Sequence, residues 1–135
     1  MRVIVLYILF FCILEATNIR WYSNYDKALI EAKKQNKNLM IFVMKKDSNM
    51  AKDIFVNIFQ DKQIAEFINK NYVSVVSIYE YKNSYPIELF YTSEFPALFF
   101  VSNTDESFIV KPLFGVIKKD EVKNSLKIFQ HTKIE

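Results

Sequence analysis

One glycine, one histidine and one cysteine are all that the 135 residues supply of three residue types on which much site chemistry rests. The lone Gly115 excludes a glycine-rich phosphate cradle, which needs several glycines to bring backbone N–H groups onto an anion. The lone His131 lies in a polar stretch near the C-terminus, where solvation is the expected state, and it leaves the serines without an obvious base. A single imidazole and a single thiol cannot make a zinc site of thiolates and imidazoles, and no carboxylate spacing suggests a metal site either. No metal and no cofactor are therefore expected. A net charge of +3 on 18 cationic and 15 anionic side chains forms no basic stripe along the chain of the kind nucleic acid requires.

What is present is core material. Hydrophobic residues make up 51% and aromatics 16% of the chain. One domain of this size buries roughly two-thirds of its unfolded surface, so it is expected to fold without disulfides or metals. The N-terminus stands apart. After Met1-Arg2, residues Val3 to Leu14 form a twelve-residue apolar run, "VIVLYILFFCIL", followed by polar Glu15, Thr17 and Asn18. Twelve residues fall short of the roughly twenty needed to span a bilayer and suit the hydrophobic region of a secretory signal. Residues 1–16 are thus expected to be a secretory signal peptide, cleaved after Ala16, or else a short membrane anchor. Residues 19–135 are expected to form the domain. Cys12 lies inside the apolar run, so a processed chain would carry no thiol and could form no disulfide of its own.

The remaining pattern alternates between helix and strand. Ser23 or Asn24 can cap a helix whose inward face is Tyr25, Ala28, Leu29 and Ala32, with Lys33, Lys34 and Lys37 toward its C-terminus. Leu39 to Met44 is a continuous apolar run of strand length, which predicts a central strand covered on both faces. Ala51, Ile54, Phe55, Ile58 and Phe59 share a helical face, and Asp61 can cap a further helix with Ile64, Phe67 and Ile68 inward. Tyr72 to Tyr79 predicts a second strand. The stretch from Glu80 to Glu94 reads as a polar and aromatic loop, with a helical turn at Ile87–Tyr91. "ALFFVS" after Pro96 and Ser107 to Leu113 predict an antiparallel hairpin, and Asp120 is expected to cap a last helix carrying Val122, Leu126 and Phe129. The first half is a βαβ unit, which calls for parallel strands and a right-handed crossover. The expected result is an α/β fold with a mixed four-stranded sheet flanked by helices.

In that order, "WYSNYDKALIEAKKQNKN", "LMIFV", "IFQDKQIAEFINKNYVSV", "EFPALFFVSN" and "KPLFGVIKKDEV" resemble the thioredoxin-like superfamily, and most of all its exported members that reduce or shuffle disulfides. The resemblance spans roughly residues 20 to 130. It implies a thioredoxin-like fold and places the redox cysteine pair at the strand-to-helix junction, where this chain has Ser48-Asn49-Met50-Ala51. Counting from Asn38 forward and from Phe59-Gln60-Asp61 backward puts Ser48 and Ala51 at the two cysteine positions. Asp47 stands where an aromatic usually precedes the pair, and Phe42 stands near a buried carboxylate of many members. The same resemblance makes Pro96 the cis proline that faces the pair.

Thiol exchange needs a thiolate at a helix N-terminus and a second thiol to resolve the mixed disulfide. A serine hydroxyl and an alanine methyl supply neither. Ser48 or Asp47 has a simpler expected role as a helix cap, and Met50 as packing. What the resemblance leaves is shape: a groove of Asp47, Ser48, Asn49, Phe95 and Pro96 suited to an extended peptide, rimmed by the aromatic loop. The expected function is a redox-inactive polypeptide-binding or accessory module of the bacterial cell envelope, itself exported, with an exported polypeptide or a redox or maturation protein as its expected partner. Two alternatives stay open: a membrane-anchored structural domain, and an enzyme of unknown type on the same scaffold. A membrane partner is expected only if the N-terminal segment is retained.

Overall fold

The computed structural model describes residues 18–81 and 90–134, with side chains described as far as Lys127. The proposed signal segment, most of the aromatic loop and the side chains of Phe129 and His131 lie outside this range. Chain order is β1 (Trp21–Tyr22), α1 (Tyr25–Gln35), β2 (Asn38–Met44), α2 (Asn49–Ile54) continuing into a π-helical turn (Phe55–Phe59), α3 (Lys62–Asn71), β3 (Tyr72–Ile78), β4 (Ala97–Val101), β5 (Leu113–Phe114) and α4 (Lys119–Ile134). The strands form one sheet in the order β1-β3-β2-β4-β5. β1 and β2 run parallel to β3, and β4 runs antiparallel to both β2 and β5.

β2 is central, as its unbroken apolar run requires. Leu39 through Val43 have no solvent exposure, and alternate residues feed two cores. Met40 and Phe42 join Ala51, Ile54, Ile58 and Phe59 of the second helical stretch, Ile64, Ala65 and Ile68 of α3, and Val122 and Leu126 of α4. Leu39, Ile41 and Val43 face the other way, onto Tyr25, Ala28 and Ala32 of α1. The period-two alternation of the strand thus meets the 3.6-residue period of three helices on one face of the sheet and of α1 on the other.

Local chemistry sets the helix ends. The Asn24 side chain accepts the Lys27 N–H at 2.9 Å and opens α1. Asn36 closes it at φ 55°, with Lys37 N–H reaching back to the Ala32 carbonyl at 2.9 Å. This six-to-one bond with a left-handed residue is the Schellman closure, and asparagine is among the few side chains that adopt that backbone at low cost. Asp61 accepts the Ile64 N–H at 3.2 Å and opens α3.

Three expectations need correction. The sheet has five strands, because Trp21 and Tyr22 pair with Ser74 and Val75; a two-residue strand is too short to show alternation. The segment Ser107–Leu113 is not one strand. Phe108 bridges Val101, and pairing resumes only at Leu113 opposite Leu98. The chain takes five steps from Phe108 to Leu113 where β4 takes three, and Pro112 in that span has no N–H for a ladder. Lastly, Asp120 lies within the first turn of α4 and does not cap it; the Glu121 carboxylate instead reaches back to the Lys118 N–H at 2.9 Å.

The π-helical turn has a packing cause. Trp21, Phe42, Phe55 and Phe59 form a four-ring cluster in which every pair of centroids lies between 5.2 and 6.5 Å. The Gln60 N–H bonds the Phe55 carbonyl at 3.0 Å, one residue beyond the α-helical spacing. The wider turn lets Phe55 and Phe59 both meet Trp21 and Phe42, and tilted or edge contacts of this kind add roughly 0.5–1.5 kcal/mol per pair beyond burial.

Candidate functional site

The junction between β2 and α2 is built from the sequence Lys45-Lys46-Asp47-Ser48-Asn49. β2 ends at Met44, and Asp47 turns the chain at φ 60°. Aspartate tolerates this left-handed backbone better than most residues, because its short side chain bonds locally. Ser48 then takes the N-cap of α2, and its hydroxyl oxygen accepts the Ala51 N–H at 3.1 Å. Asn49 is the first helical residue, and Met50 beside it is 42% exposed. Ala51 is fully buried in the core that holds Phe42. The hydroxyl is thus occupied as a cap, and the alanine methyl faces the protein interior.

Opposite this junction lies the start of β4. Val43 pairs with Ala97, so the residues beyond each strand end are brought alongside one another. The Phe95–Pro96 peptide bond is cis. Phe95 is flanked by Tyr79, at 4.8 Å between ring centroids, and by the Lys45 ammonium, 5.1 Å from its ring centre. The Glu80 carboxylate accepts the Lys46 N–H at 2.9 Å. That hydrogen bond, with lesser help from nearby lysine charge, holds the Glu80 carboxyl below the ordinary glutamate value. Thr92, just ahead of Phe95, closes a small turn by donating to the Glu94 carbonyl at 2.7 Å. Three loops therefore converge: 45–48, 79–81 and 92–96.

A fourth piece comes from the end of β5. The Gly115 N–H donates to the Pro96 carbonyl at 2.8 Å, with Gly115 at φ 71°, a backbone state glycine adopts freely. Concavities flank this hairpin end. One, of about 220 Å3, is lined by Met50, Asp53, Asn57 and Val116, the last 68% exposed. Another of about 220 Å3 is lined by Tyr91, Thr92, Glu94 and Phe114.

Of the residues singled out from sequence, Asp47, Ser48 and Asn49 occupy the junction and Phe95 and Pro96 the facing loop. The link between the two groups runs through Lys45, which sequence reading did not name. Tyr79 and Glu80 adjoin the predicted strand end and open the aromatic loop, but their contacts with Phe95 and Lys46, like the roles of Lys45 and Gly115, were not legible. Lys45 beside an apolar strand end gives no local sign that an aromatic fifty residues later will lie under its ammonium. Among the described residues, no group of three or more histidine, cysteine, aspartate or glutamate side chains is placed to hold a metal ion.

No family model matches the chain, and no curated protein matches it significantly. Solved structures do. A thioredoxin from Thermus thermophilus superposes with a TM-score of 0.70 at 16% identity, over 84% of this chain and 88% of that one. DsbH oxidoreductase gives 0.59 at 21% identity, covering 82% and 85%. A poplar thioredoxin h gives 0.62 at 15% identity, covering 83% and 96%. At such identities the likeness establishes architecture and not activity. The chain has the thioredoxin-like fold, in a sequence whose single cysteine rules out a paired-thiol site.

Proposed function

We propose that this chain is an exported, redox-inactive thioredoxin-like domain that binds extended polypeptide, or assists a redox or maturation system, without exchanging thiols. The observation that carries the reading is Ser48 at the N-cap of α2 with Ala51 buried three residues on. The junction keeps its helix start while lacking both sulfurs that exchange requires. Export is supported by the apolar run Val3–Leu14, and among the described residues no helix is long and apolar enough to cross a membrane.

Peptide binding is supported by the surface around the junction. Met50, Tyr79, Tyr81, Tyr91 and Val116 are large apolar side chains left exposed. They border loops whose backbone is pinned by Gly115 to Pro96 and by Lys46 to Glu80. Exposed aromatic and aliphatic side chains beside pre-ordered loops, with Met50 and Val116 lining one neighbouring concavity and Tyr91 another, suit an extended chain with apolar side chains. The test is a nuclear magnetic resonance titration with a reduced, alkylated and permanently unfolded polypeptide. Amide shifts are expected at Asp47, Ser48, Asn49 and Phe95 and not on α1. Shifts scattered without focus, or none at millimolar polypeptide, would overturn the reading.

A further inference from the structure

The concavity beside Phe114 brings two exposed rings and one carboxylate to the same small space. Tyr91, Thr92, Ser93, Glu94 and Phe114 line about 220 Å3. Each ring is held in place by a buried neighbour. Tyr91 follows Phe90, which is buried and packs on Tyr25 at 5.3 Å and on Phe99 at 5.5 Å between ring centroids. Tyr91 itself is 75% exposed. Phe114 is the register partner of Ala97 and meets Phe99 edge-on at 5.9 Å, yet it stays 39% exposed.

Glu94 is set by a tight turn. The Thr92 hydroxyl accepts the Glu94 N–H at 3.0 Å and donates to the Glu94 carbonyl at 2.7 Å. The Glu94 carboxylate lies beside Gly115, with Oε2 4.0 Å from where a side chain at that position would begin. Gly115 in turn donates to the Pro96 carbonyl, so the carboxylate stands next to the groove. Among the described residues no cation and no hydrogen-bond donor meets it. The ion pair found there joins Lys119 to Asp61, and Lys45 on the facing loop lies over the Phe95 ring. No cationic side chain lines the concavity.

We propose that this concavity takes an arginine side chain of an extended polypeptide held at the junction. The inference rests on the polypeptide-binding reading above and adds the side chain that the groove selects. Aromatic faces carry partial negative charge and attract a cation placed over them. A guanidinium stacks flat on a ring while its N–H groups reach a carboxylate, and its three-carbon stem packs against apolar surface. Lys45 over Phe95 is an instance of the same contact within the chain. An apolar side chain in the concavity would cover Glu94 without giving it a donor, and an acidic one would meet like charge. The selection is one of contact with the rings and the carboxylate. It does not depend on the net charge of that face, where Lys45, Lys46, Asp47 and Glu80 also stand.

The test uses three blocked nonapeptides of serine, alanine and leucine that differ only in a central arginine, norleucine or glutamate. Nuclear magnetic resonance titration of the full chain reads both affinity and place. The arginine peptide is expected to bind roughly fivefold more tightly than the norleucine peptide, with the glutamate peptide weakest. Amide shifts are expected at Glu94 and Phe114 besides those at the junction. Glu94→Gln is expected to bring the arginine and norleucine peptides within about twofold of each other, and Tyr91→Leu to lower the preference by about twofold. Glu66→Gln removes the same charge from α3 and is expected to keep the preference. Equal affinity for arginine and norleucine, with shifts still at Ser48 and Phe95, would overturn this inference and leave polypeptide binding standing. Equal loss of preference in Glu94→Gln and Glu66→Gln would overturn it as well, by showing that net charge selects. No focused shift with any of the three peptides would overturn both readings.

Discussion

The Lys45 ammonium lies 5.1 Å from the centre of the Phe95 ring, joining the loop after β2 to the loop before β4 across the candidate groove. Tyr79 covers the ring from another direction at 4.8 Å. An exposed cation over an aromatic face contributes roughly 0.5–1 kcal/mol. Lys45→Ala is therefore expected to lower stability by no more than about 1 kcal/mol, and Lys45→Arg to preserve it. A double-mutant cycle with Phe95→Leu, measured by urea denaturation, should return a coupling of roughly 0.5 kcal/mol. A coupling of zero would show that the two side chains are neighbours without an energetic link.

The correspondence of Ser48 and Ala51 to a cysteine pair can be tested by introducing one. Ser48→Cys with Ala51→Cys puts one thiol at the N-cap and a second on the buried side of the first helical turn. A thiol at a helix N-terminus ionises more readily than a free cysteine. The double variant is expected to form a reversible disulfide, with position 48 alkylated faster than position 51 below neutral pH. Mass spectrometry after equilibration in glutathione buffers reads both. Two cysteines that never pair would mean that the register drawn from Asn38 and from Asp61 is wrong.

How much of this was readable beforehand depended on how local the cause was. The central strand Leu39–Met44 was legible because six consecutive apolar residues are of strand length and too few for a buried helix, and the structure leaves five of them without exposure. A cap at the start of each of α1, α2 and α3 was legible because a short polar side chain before an apolar helical face has a ready partner in the N–H three residues on, but the choice of Asn24 over Ser23 and of Ser48 over Asp47 was not. β1 and β5 were not. Each has two residues, and each exists because a distant strand offers a free edge. The same holds at the site. Asp47, Ser48 and Asn49 could be named from a junction pattern, but Lys45 over Phe95 and Glu80 on Lys46 are contacts between loops that only the sheet brings together.

Phe42 gives the interior beneath the junction its apolar character. It is fully buried, and its ring meets Trp21, Phe55 and Phe59. A carboxylate put there would have rings for neighbours and no hydrogen-bond donor identified to receive it. Phe42→Asp is expected to cost about 4 kcal/mol or more, the sum of a lost aromatic side chain and a desolvated carboxyl. Phe42→Leu should cost no more than about half of that. Chemical denaturation at neutral pH distinguishes them. A loss below about 2 kcal/mol for the aspartate would show that water or a polar partner reaches the position.

Asp61 gives the fold a defined acid response. Its carboxylate meets the Lys119 ammonium at 2.6 Å and accepts the Ile64 N–H, tying the start of α3 to the start of α4. The Lys119 bond first, and the backbone bond to Ile64 second, hold the Asp61 carboxyl below its ordinary value. An aspartate depressed in the folded state takes up protons more readily when unfolded, so stability rises with pH across that interval. The contribution is complete above the unfolded value of about 3.9 and disappears as pH falls through the lower folded value. Asp61→Asn keeps a capping oxygen but has no charge to lose. Its stability is expected to fall below that of the natural chain at neutral pH, and the two curves should converge as the pH drops below about 4. Thermal melts by circular dichroism from pH 7 to pH 2 provide the comparison. Parallel curves across that range would show that the Lys119 contact does not depress Asp61 in solution.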